Sequence, residues 1–230
     1  MNLAPLVERF VDTHFPGAVA VVVGGSAASG NRTATSDIDL LIIGPEPMFE
    51  NGRDSLAAMY EFEGELFEVF AYTRDAFDRW AVHDLTDFKP VLQSILLDGI
   101  EVRGEALIAE LRSEWRPVVE AGPRIDHAAL ALRRYTITDT LDDLGDASDE
   151  LEKRLLAAKL LEGLAELILL SNGQWIGGGK WLIRRLRAWD TDRANELAAP
   201  FMAGDLPAFA KLAALELERL GGRVQAGFVR

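Results

Sequence analysis

Residues 24–44 read GGSAASGNRTATSDIDLLIIG, directly after the apolar run Ala18 to Val23. Gly24 and Gly25 stop that run, Ser26 follows, and ten residues later Asp37 and Asp39 stand at the head of the apolar run Leu40 to Ile43. A buried strand avoids carboxylates, because an ionised group out of water is costly unless it is paired or holds a metal. Side chains alternate along a strand, so Asp37 and Asp39 point the same way, about 6–7 Å apart. Ile38, Leu40 and Ile42 take the opposite face, which suits a strand packed on helices. Two converging carboxylates offer the oxygen donors that Mg²⁺ takes. Without a cation they repel, and one is driven toward protonation. The two glycines let the backbone turn where a Cβ would clash, and their N–H groups, with the Ser26 hydroxyl, can face a phosphate. A phosphate-facing turn beside metal-holding carboxylates is machinery for handling a nucleoside triphosphate.

Outward from this stretch, residues 2–13 predict a helix with Asn2 as N-cap, and His14-Phe15-Pro16-Gly17 as its stop. Ala18 to Val23 and Asp37 to Ile43 predict two strands, and Gly44-Pro45-Glu46-Pro47 breaks the pattern. Glu65 to Tyr72 (ELFEVFAY) predicts a third strand, ended by Thr73, which can cap a helix over 74–82. A further helix near 88–97 ends at Gly99. From about residue 105 strand signals vanish, and helical periodicity covers 105–116, 126–144, 149–171, 180–190 and 205–220. The last of these opens with Asp205 and Pro207 and closes at Gly221-Gly222. The plan is therefore α+β: a mixed sheet with flanking helices over 1–104, then an all-α helical-bundle domain over 105–230. The helix at 149–171 is apolar nearly all round, which predicts the central helix of the bundle and also permits a homodimer.

Composition narrows the function classes. The 230 residues carry 24 Lys and Arg against 37 Asp and Glu, a formal net charge of −13. That balance argues against general nucleic-acid binding, which needs cations to neutralise phosphates. It suits a cationic substrate, since a negative field draws cations in, and it also serves plain solubility. The chain has no cysteine, so it has no disulfide framework and no thiol nucleophile, and its three histidines are scattered. No apolar run is long enough for a membrane span, and MNLAPLVERF lacks the parts of a signal peptide, so the expected location is cytoplasmic.

The series VVVGGS, AASGNRTATS, DIDLLII resembles the DNA-polymerase-β-like nucleotidyltransferase superfamily. It looks closest to small bacterial members, including the aminoglycoside nucleotidyltransferases. The motif covers about 25 residues, and the order of elements extends the resemblance over 1–100. The resemblance implies transfer of a nucleoside monophosphate from an NTP to an acceptor hydroxyl, with release of pyrophosphate, helped by two Mg²⁺ ions. Asp37 and Asp39 would hold the metal, and Gly24, Gly25 and Ser26 would cradle the phosphates. The superfamily adds a third carboxylate on a later strand. Glu65 and Glu68 are three apart, so on a regular strand they face opposite ways and only one can serve. Glu68, inside the apolar run, is the better candidate, although many members carry Asp there. The acceptor would be a small molecule, cationic by the charge balance. Two alternatives keep the fold: a protein-modifying, AMP-transferring antitoxin, and a nucleotide-binding regulator whose catalysis has lapsed.

Other motifs carry weaker signals. Arg32, in the spacer, could reach a phosphate. Asp143 shares a helical face with Asp139 and, by resemblance, is a candidate base for the acceptor hydroxyl. Gly177-Gly178-Gly179-Lys180 fails the spacing of a P-loop and reads as a turn before a helix, although Lys180 and Arg184 share a face that could meet a triphosphate. Trp175, Trp181 and Trp189 could stack on a ring, with buried packing the commoner use.

Overall fold

A computed structural model describes residues 3–28, 30, 32–33 and 35–229. Asn2, the expected N-cap, lies outside the described residues. The chain divides into two compact units, the first ending at Ala121 and the second beginning at Gly122.

The first unit opens with α1 (Ala4–His14), whose Val7, Phe10 and Val11 are buried at the i, i+3, i+4 spacing of one helical face. Next come β1 (Ala20–Val23), the single turn α2 (Gly25–Ala28) and β2 (Ile38–Ile43). After them run β3 (Ser55–Phe62), β4 (Glu65–Tyr72), α3 (Arg74–Thr86), α4 (Val91–Asp98), β5 (Ile100–Arg103) and α5 (Glu105–Glu120). The five strands form one sheet in the order β3-β4-β2-β1-β5. Only β2 and β4 pair in parallel; β1–β2, β1–β5 and β3–β4 are antiparallel.

Alternation along the strands gives the sheet two apolar faces. On one face α1 meets Val21, Val23, Ile38, Leu40, Ile42, Phe67 and Val69, with Phe10 stacked on Phe67 at 4.2 Å between ring centres. On the other face Val22, Leu41, Ile43 and Tyr72 join Phe77, Leu96, Ile108, Leu111 and Trp115 of the later helices. As the sequence predicts, the Thr73 side chain caps α3, accepting from the Ala76 N–H at 3.2 Å.

Two strands of this sheet were not expected from the sequence. β3 (SLAAMYEF) contains helix-favouring Ala57-Ala58-Met59, and its strand form comes from pairing along its whole length with β4. The hairpin turn is Glu63-Gly64, both at positive φ, as a two-residue turn of this twist requires. Glu in the first place hides that signal, and the Arg9–Glu63 ion pair holds it. Four-residue β5 is too short for periodicity to reveal. Helix α5 also separates the 104/105 boundary of the sequence plan from the division at Ala121. Its Ile108, Leu111 and Trp115 are buried in the first unit's core, so it groups with the sheet.

The second unit holds α6 (His127–Asp146), α7 (Glu150–Ser171), α8 (Lys180–Trp189), α9 (Thr191–Met202) and α10 (Leu206–Arg219). Four of the five start on an aspartate cap: Asp126, Asp149, Asp190 and Asp205 each accept a backbone N–H of the first turn. Each cap is worth about 1 kcal/mol, so part of the acidic excess has a structural use. α7 packs against α6, α8, α9 and α10, as expected of a central helix. Its Leu160, Leu164, Leu167 and Ile168 are fully buried, whereas Leu151 and Leu155 near its start are exposed. Among the described residues no helix is long and apolar enough to cross a membrane.

Candidate active site

Asp37 stands immediately before β2, and Asp39 lies on it. Parallel pairing sets Asp39 directly beside Glu68 of β4. One carboxylate oxygen from each of Asp37, Asp39 and Glu68 lies within 4.8 Å of the others, and all three residues are half-buried. Among the described residues no other group of three or more His, Cys, Asp or Glu side chains converges this closely. The register explains the result: Ile38, Leu40, Phe67 and Val69 point into the α1 core, which leaves the alternate positions 39 and 68 on the other face.

Like charges at this spacing penalise full ionisation. The Glu68 carboxyl is pushed above the usual range, first by burial, then by the charges of Asp39 and Asp37 and a hydrogen bond with Asp39. A hard divalent cation would reverse that penalty, and an all-carboxylate donor set fits such an ion.

The glycine turn is built against the same carboxylates. Gly25 has φ +60°, and a Cβ there would overlap the Asp39 carboxylate. The Gly24 N–H donates to the Asp39 carbonyl at 2.8 Å, and a Cβ on Gly24 would press on Ile95 of α4. Both glycines are thus required by close approach. Ser26 is buried in the first turn that follows.

Glu65, the other carboxylate weighed for the third position, is held elsewhere. Arg32 pairs with both of its oxygens and also donates to the Ser36 carbonyl at 3.3 Å. That contact holds the Glu65 carboxyl below the usual range. In this structure Arg32 therefore engages a carboxylate of the same unit.

The remaining sequence candidates lie in the second unit. Asp143 is exposed near the end of α6, beside a surface cavity also lined by Asp146, Glu152 and Leu155. Lys180 is the exposed first residue of α8, after a turn in which Gly179 has positive φ. Of the tryptophans, Trp175 and Trp189 are half-buried and Trp181 is exposed. The Arg184 guanidinium lies 4.8 Å from the centre of the exposed Trp181 ring, and that of Arg193 lies 5.8 Å from Trp189. One site neighbour had no sequence signal: Met59 of the unexpected β3 pairs directly with Glu68.

Comparison with known proteins agrees with this geometry. Residues 6–84 match the family model of the Nucleotidyltransferase domain, a span that includes the glycine turn and all three carboxylates. The N-terminal part of the chain is a nucleotidyltransferase domain, and the class of enzyme it defines is the nucleotidyltransferases. A nucleotidyltransferase-like protein from Exiguobacterium sibiricum 255-15 shares the fold at a TM-score of 0.50 and 13% identity. The alignment covers 95% of this chain and 74% of that one. No curated protein matches the sequence. The domain supports a general nucleoside-monophosphate-transfer activity.

Proposed function

We propose that this chain moves a nucleoside monophosphate from an NTP to a hydroxyl of a small-molecule acceptor, releasing pyrophosphate. The observation that carries this is the convergence of Asp37, Asp39 and Glu68 against the Gly25 turn. Asp37, Asp39 and Glu68 would hold Mg²⁺, as two ions in this reading, and the metal would supply neutralisation of the charge that develops during transfer. The backbone of Gly25 and the Ser26 hydroxyl bind the β- and γ-phosphates, on a turn that packs directly against the Asp39 carboxylate. Glu68, set beside Asp39 on the adjacent strand, orients the acceptor hydroxyl and takes its proton. The net charge of −13 favours an acceptor that carries positive charge.

Calorimetric titration of the four common NTPs with Mg²⁺ tests the assignment. The wild type binds at least one of them only when Mg²⁺ is present, and Asp37→Asn/Asp39→Asn does not. Equal binding by both proteins, or none by the wild type, sinks the proposal.

A further inference from the structure

The sheet order says from which side an acceptor must come. The Gly25-Ser26 turn follows β1, and the order β4-β2-β1 puts Asp39 of β2 between that turn and Glu68 of β4. Phosphoryl transfer needs the attacking and leaving oxygens roughly in line. With pyrophosphate leaving over the β1 side, the attacking hydroxyl arrives from the β4–β3 side. This step rests on the proposed function above.

On that side the described strand residues are about half exposed. Directly opposed strand residues share a face, so Met59 stands beside Glu68, and Glu61 beside Leu66. α3, α4 and α5 cover the Val22, Leu41 and Tyr72 end of this face. At the other end Met59 remains 54% exposed and Leu66 48% exposed. Exposed Glu61 lies diagonally across from Glu68, a spacing of about 7–8 Å between such neighbours. The triad is therefore continuous with a small apolar floor that ends in a carboxylate.

We propose that Met59 and Leu66 form the acceptor floor of this enzyme, with Glu61 as its cation anchor. They select a hydroxyl compound whose apolar body separates the reacting hydroxyl from an ammonium group. The acceptor oxygen bonds to the α-phosphorus, and the bond from that phosphorus to the α–β bridging oxygen breaks. Pyrophosphate leaves with the electron pair, and the hydroxyl proton passes to a Glu68 carboxylate oxygen. The apolar body lies on Met59 and Leu66, and the ammonium meets Glu61.

4-(Aminomethyl)benzyl alcohol, with hydroxyl and ammonium at opposite ends of a ring, is the probe. The chain has four methionines, so protein labelled with ¹³C at the methionine methyl groups gives few signals, and Met59→Leu identifies the one from Met59. Mg²⁺ with a non-hydrolysable ATP analogue leaves that signal in place, and the probe then moves it. 4-Methylbenzyl alcohol and glucosamine, lacking the ammonium and the apolar body respectively, move it at least fivefold more weakly. With ATP and the probe, Met59→Ser, Leu66→Ser and Glu61→Gln each raise the probe's KM about tenfold and leave the KM for ATP within twofold.

A shift of the Met59 signal by nucleotide alone assigns the floor to the nucleobase and overturns the proposal. So does a probe that leaves the signal unmoved, or a KM effect confined to ATP. Calorimetry without any Mg²⁺-dependent nucleotide binding instead overturns the transferase assignment, and it does so whatever the methyl signal shows.

Discussion

Glu65 and Glu68 lie three residues apart on β4, yet their surroundings push them in opposite directions. Glu65 meets the Arg32 guanidinium, which favours its charge; Glu68 meets Asp37 and Asp39, which oppose it. Alternation along the strand sends one carboxylate to a cation supplied by the chain and the other to a cluster that calls for a cation from outside. The same residue type on the same strand is thus a surface tie in one place and part of a candidate cation site in the other. The partner across the sheet decides which.

The contrast breaks most directly by removing each carboxylate's charge in turn. Glu68→Gln lowers Mg²⁺-dependent nucleotide affinity about 100-fold, in the range by which losing a carboxylate ligand weakens a metal site, and calorimetry reads the loss. The same variant keeps or raises the thermal midpoint of the metal-free protein, because it removes a like charge. A fall in that midpoint would mean that Glu68 serves the fold instead of the cation.

Gly25→Ala ranks second. A left-handed φ costs a residue with a Cβ about 1–2 kcal/mol, and this Cβ displaces the Asp39 carboxylate. Nucleotide affinity drops about tenfold, and the melting midpoint falls by several degrees. An unchanged affinity would detach the turn from the triad.

Acid sharpens the comparison third. The raised Glu68 carboxyl protonates at a pH where ordinary glutamates remain charged, so a proton competes with the cation there. Nucleotide affinity therefore declines severalfold as pH falls through that range, and Glu68→Gln removes the inflection. In the metal-free protein the same group works the other way. Its folded pKa exceeds the unfolded one, so folding stability is lost as pH rises through the raised value. Glu65 has its pKa depressed, and its contribution is present above its unfolded value and lost on acidification below it.

The smallest effects belong to Glu65→Gln and Arg32→Gln. Both side chains are partly exposed, and such a pair is worth about 0–1 kcal/mol. Each variant changes nucleotide affinity less than twofold; a larger loss from Arg32→Gln would show the guanidinium leaving Glu65 for a phosphate.

The triad was legible in the sequence because it obeys a short-range rule. Asp37 and Asp39 share a face by alternation, Gly25 explains itself by what a Cβ would strike, and the three-residue spacing of Glu65 and Glu68 allows only one into the cluster. The spacing could not show where Glu65 goes, since Arg32 meets it from a loop. Nor could it show Met59, because β3 is a strand only by virtue of its partner β4. Thr73 and Asp205 announced the starts of α3 and α10, whereas α9 was not read from the sequence and the grouping of α5 depends on the tertiary burial of Ile108, Leu111 and Trp115. Local chemistry survives in a sequence, and pairings across the sheet do not.

The parallel pairing of β2 with β4 has a consequence for how the chain acquires its site. Asp39 and Glu68 become neighbours only when strands far apart in the chain close side by side, and closure of that kind carries an entropy cost that local hairpins avoid. An unfolded or half-docked chain therefore has no triad to offer, and a divalent cation at that cluster would find its ligands only after β2 and β4 have paired. Binding of that sort acts as a latch: at 100 times its dissociation constant a ligand that recognises only the native state adds about 2.7 kcal/mol to folding. In a newly made chain the cation would then register that the sheet has closed.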